Sequence, residues 1–151
     1  MQFKTVRDVV EHSRRLHQQI RDYYHQLSEE NCQARVSMLL QYLQRHEDHL
    51  AQTLGKFEQD KSQKVLASWF QYAPDQDISE VLAGIDVSEN MSTEDVVEMA
   101  LKLDDYFIEL YQHMVSSSTS APVKEVFQNL LDMEQHEKIQ LAKTALQIHD
   151  M

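Results

Sequence analysis

Glycine and proline are nearly missing: the chain has two of each in 151 residues. An average soluble protein of that length carries about ten glycines and seven or eight prolines. Turn-rich β-sandwiches, barrels and Gly-rich nucleotide-binding folds need many positive-φ or tight-turn positions, so the shortage excludes them. A lone cysteine, Cys32, excludes an intrachain disulfide framework and fits a reducing compartment. Basic residues are scarce too, 14 against 25 acidic ones, for a net charge of −11. That balance argues against nucleic acid or an anionic membrane as partner. No stretch approaches the ~20 apolar residues of a membrane span, and Met1 to Val6 hold no apolar run of signal-peptide length. The expectation is a cytoplasmic chain folded as one domain, residues 1–151, with a real core.

What is present is helical periodicity. Apolar residues recur at helical spacing in four blocks: Val6 to Leu27, Val36 to Phe57, Val96 to Met114, and Val123 to Ile148. They predict helices over about 4–28, 31–60, 92–116 and 120–149. A polar break around Ser28 to Asn31 separates the first pair, and the run Ser116 to Ser120 separates the second. Pro122 suits the first turn of the last helix, where its missing N–H costs nothing. Ser92, three residues before Asp95, reads as a start signal for the third. Short connections make each pair an antiparallel hairpin. The segment 61–91 is too long for a turn and holds Val65, Leu66, Trp69, Phe70, Ile78, Val81, Leu82 and Ile85. It is predicted to be a partly helical crossover, with Asp77 and Glu80 starting a short helix and Gly84 ending it. A bundle of two hairpins joined by one long crossover has ferritin-like connectivity.

Each apolar stripe is broken by polar residues at one place: His17 in the first helix, His46 and His49 in the second, Asp104 in the third, Glu134 and Glu137 in the fourth. The midpoint of His17 and His46 falls at the Asn31–Cys32 turn, and that of Asp104 and Glu134 falls at Thr119. Residues equidistant from a hairpin turn lie at one height, here about 20 Å from it. The halves also match, since His17 to Tyr24 and Asp104 to Tyr111 both span seven residues. Aligned hairpins would bring three imidazoles and three carboxylates together in the core. A buried polar group without a partner costs about 1–3 kcal/mol, against a net stability of about 5–15 kcal/mol for a whole domain. A metal ion, a closed His–carboxylate network or a water-filled cavity would have to compensate; misaligned hairpins would dissolve the question.

The stretches Ala100 to Tyr111 and Phe127 to Glu137 resemble the third and fourth helices of the ferritin-like di-iron carboxylate superfamily, specifically its rubrerythrin-type branch. That family places one Glu on each of two helices and a Glu-x-x-His on each of the other two. The resemblance spans nearly the whole chain and implies metal ligands at His17, His46, His49, Asp104, Glu134 and Glu137, with Tyr24 and Tyr111 beyond them or packed in the core. It implies Fe first, with Zn or Mn as alternatives, and chemistry on iron, dioxygen or peroxide. It also implies a homodimer, for which exposure of Trp69, Phe70 and Tyr72 would mark the interface.

The ligand set departs from the family at most positions. His17 stands where Glu is usual, His46 to His49 read His-x-x-His, and Glu134 to Glu137 read Glu-x-x-Glu. A carboxylate bridges two metals, whereas a neutral imidazole binds one. The set therefore implies a single ion, or an unlike pair, in preference to a symmetric di-iron centre. One cysteine cannot build the Cys-rich iron domain of a full rubrerythrin. Glu47, Asp48 and Asp105 are expected on solvated faces, and His12, His113, His136 and His149 at the surface or its boundary. The rival reading is a metal-free helical bundle acting as an interaction or structural module.

Overall fold

The computed structural model describes residues 5–31, 33–61, 63–69 and 91–150. Helix α1 runs Val6–Glu30, α2 Ala34–Asp60, α3 Gln63–Leu66, α4 Thr93–Ser117 and α5 Ala121–His149. The four long helices match the predicted spans to within three residues at each end. Cys32, Phe70, Tyr72 and the proposed crossover helix from Asp77 to Gly84 lie outside the described residues.

The helices start where their sequences supply caps. At α4 the Ser92 hydroxyl accepts from the Asp95 N–H (3.1 Å) while the Asp95 carboxylate accepts from the Ser92 N–H (3.0 Å). Thr5 and Asp8 form the same reciprocal box at α1. Each box satisfies two backbone donors that a helix N-terminus leaves without partners. Pro122 sits in the first turn of α5, as its fixed φ favours.

The two hairpins are copies of one unit at a constant offset of 87 residues. Thr5 corresponds to Ser92, and the starts of α1 and α2 at Val6 and Ala34 correspond to those of α4 and α5 at Thr93 and Ala121. The core follows the same register: Leu16 and Leu103, Ile20 and Phe107, Tyr24 and Tyr111, Leu40 and Phe127, Leu54 and Leu141 are all buried. Arg35 donates to the His149 carbonyl (3.3 Å), and the Thr93 hydroxyl meets His149 Nδ1 (2.9 Å). These contacts gather the starts of α2 and α4 and the end of α5 at one end of the bundle. The end of α2 is therefore at the other.

The described part of the connection from α2 to α4 begins at the far end. Leu66 of α3 is buried, and the Val6 N–H donates to the Ser68 carbonyl (3.0 Å), tying this segment to the start of α1. Trp69 bridges to Thr5 through its backbone while its side chain is 74% exposed.

A buried polar layer at mid-bundle

Four charged or polar side chains, one from each long helix, meet near the middle of the bundle. They are His17 of α1, Glu47 of α2, Asp104 of α4 and Glu134 of α5, each no more than 1% exposed. The 87-residue offset pairs His17 with Asp104 and Glu47 with Glu134. His17 Nε2 lies 2.9 Å from Glu134 Oε1, and His17 Nδ1 is hydrogen-bonded to Glu47 Oε2. The ring stacks on Phe107 with centroids 3.8 Å apart and planes 10° from parallel.

Carboxylates accept hydrogen bonds and cannot donate them, so a ring held between two of them carries a proton on both nitrogens. Burial by itself would push the His17 pKa down, but Glu47 and Glu134 reverse this and raise it to about 10. Asp104 goes the other way. Burial first, then the neighbouring Glu47 and Glu134, push its carboxyl well above the usual carboxylate range. The buried phenols of Tyr24 and Tyr111 are likewise pushed up by burial and stay neutral.

The layer differs in membership from the sequence-based expectation. His17, Asp104 and Glu134 are in it. His46 is beside it, 7% exposed, with Nδ1 3.5 Å from Oε2 of the partly exposed Glu137; burial lowers its pKa. His49 is not in the core at all. It lies on the exposed face of α2, so the expected His46–His49 pair does not form a core constellation. Glu47, expected on a solvated face, is the α2 member instead.

The misreading has a definite cause. The α2 stripe that faces the core is Leu43, Glu47, Leu50, Leu54, a 4-3-4 spacing in which Glu47 is the one polar member. A search for i, i+3 histidines passes over it. The signal was available: the midpoint of His17 and Glu47 is residue 32, centred between α1 and α2, and both hairpins then span 30 residues from first to second polar member. Of the remaining histidines, His12 is hydrogen-bonded to Tyr106 (2.9 Å), while His136 is exposed. Asp48 and Asp105 do lie outside the core, paired with Arg21 and Lys138.

The donor set does not fit a symmetric di-iron centre of the Glu-x-x-His kind. In register with the family pattern, Glu47 and Glu134 are the carboxylates of the two Glu-x-x-His motifs. The third residue after each is Leu50, fully buried, and Glu137, so neither motif has its histidine. The imidazole of His17 stands between the two glutamates and keeps them on its opposite nitrogens. Among the described residues, no three His, Cys, Asp or Glu side chains are grouped so as to hold a metal ion.

No protein-family model matches the chain, and no curated protein matches it. Among solved structures it is similar to a crystal structure of a candidate ferritin-like diiron-carboxylate protein from Thermotoga maritima. The two share 17% sequence identity over 96% of this chain and 97% of the other, with a TM-score of 0.59. That likeness defines the fold: a ferritin-like, all-α bundle. No helix among the described residues is long and apolar enough to cross a membrane.

Proposed function

We propose that the chain is a ferritin-like bundle of the rubrerythrin type that works without a resident two-metal centre, as a helical structural or interaction module. The observation that carries this reading is the pairing of both His17 ring nitrogens with Glu47 and Glu134. A metal held by these glutamates would compete with the imidazole for the same carboxylate lone pairs. The missing histidines after Glu47 and Glu134 support the same reading. A closed pair of this kind stabilises little by itself, but losing one member would leave a buried charge uncompensated. The role we infer for the layer is therefore to hold four helices in register.

A second reading keeps one ion. It draws on Asp104 Oδ2, Glu134 Oε2 and His46 Nε2, which are buried, have no hydrogen-bond partner and would have to draw together to share an ion, since no three such side chains are grouped for one among the described residues. Their mixed oxygen and nitrogen chemistry suits Fe, Zn or Mn. An ion there with an open coordination position would supply dioxygen or peroxide chemistry.

Elemental analysis of protein purified without an affinity tag separates the two. The first reading expects far less than one Fe, Mn or Zn ion per chain, and no melting shift when these metals are added. A stoichiometric ion that raises the melting temperature would replace it with the second.

A further inference from the structure

We propose that the His17 ring is a built-in cation: it spans Glu47 and Glu134 as a double N–H donor and takes the place a divalent ion would otherwise need to fill. The inference deepens the metal-free reading and rests on it. It also predicts a property the protein does not otherwise show, namely a latent divalent-cation site that opens when the ring is removed.

Three observations converge. Glu47 and Glu134 are equivalent under the 87-residue repeat and 1% exposed, so the fold brings two like charges into the core from α2 and α5. Such a pair needs positive charge or protonation to persist there. Among the described residues, the side chain hydrogen-bonded to both carboxylates is His17, one to each nitrogen. The ring is also fixed in orientation. It lies flat on Phe107, whose repeat equivalent is the smaller, aliphatic Ile20. An imidazolium over an aromatic face gains electrostatic stabilisation that a neutral ring does not. The two halves thus differ at matching positions: His17 stacks on Phe107, and the residues equivalent to them under the 87-residue offset are Asp104 and Ile20.

The experiment has two arms. In the first, wild-type protein labelled with 15N at histidine is examined by NMR at about pH 8, where a free imidazole is neutral. Protons on both Nδ1 and Nε2 are expected; a neutral tautomer overturns the inference. In the second, His17→Glu and His17→Ala are compared with wild type by thermal melting, in chelator and then with Mn2+ or Zn2+ alone. Both variants are expected to melt below wild type in chelator and to be raised by the metal, while wild type is unmoved. Folded variants that ignore both metals overturn the inference, even when wild type is metal-free. Stoichiometric metal in wild type overturns the metal-free reading itself. Should neither variant fold under any condition, the NMR result alone decides.

Discussion

Two residues two positions apart on α2 behave oppositely, and the difference is one of angle. Glu47 falls on the Leu43–Leu50–Leu54 stripe and is 1% exposed, while His49 projects from the other side of the helix. Glu47→Ala removes one partner of a fully buried imidazole, and breaking a buried pair in this way costs about 3–5 kcal/mol. His49→Ala should stay within about 0.5 kcal/mol of wild type, as surface substitutions do. Urea denaturation of the two variants checks both values; equal losses would mean that the layer has been assigned wrongly. The pH dependence belongs to His17. Its raised pKa stabilises the fold fully below the unfolded value of 6.5, and that contribution is lost as pH rises through about 10. Melting temperature should therefore fall between these limits. His17→Gln should flatten that slope. His46, pushed down by burial, titrates on the acid side and leaves this window alone.

At the level of the helices, the repeat makes a test of equivalence. Thr5 and Ser92 close the same capping box 87 residues apart. Replacing an N-cap Ser or Thr by Ala costs about 1 kcal/mol, and Thr5→Ala and Ser92→Ala should each lose about that much in denaturant melts. A loss at only one end would show that the two starts are not energetically equivalent. The four long helices were legible because each carries a strong 3.6-residue stripe and few turn-forming residues. The Ser92–Asp95 start was legible as well. Thr5 escaped notice because nothing in the preceding residues marks the boundary. The layer was legible in three of its four members. Its fourth, Glu47, was masked by the flanking histidines, whose i, i+3 spacing suggested ligands but whose helical phase splits them between boundary and surface.

For the whole molecule, fold and chemistry separate. The connectivity and backbone likeness are those of a ferritin-like bundle, yet a likeness at 17% identity carries the scaffold and not the site. In such bundles, side chains on facing helices supply the interior chemistry. Here they supply one imidazole, two glutamates that it bridges, and a buried Asp104. Three residues after the two glutamates stand Leu50 and Glu137, where a Glu-x-x-His motif would have histidine. On the proposed metal-free reading, an internal ion pair satisfies this core position. The measurement that bears most directly on this account is equilibrium dialysis of wild-type protein against Fe2+ without oxygen, followed by chelator-free washing and metal analysis. The account predicts far less than one ion retained per chain and an unchanged melting temperature. One or two ions retained per chain, with a higher melting temperature, would contradict it.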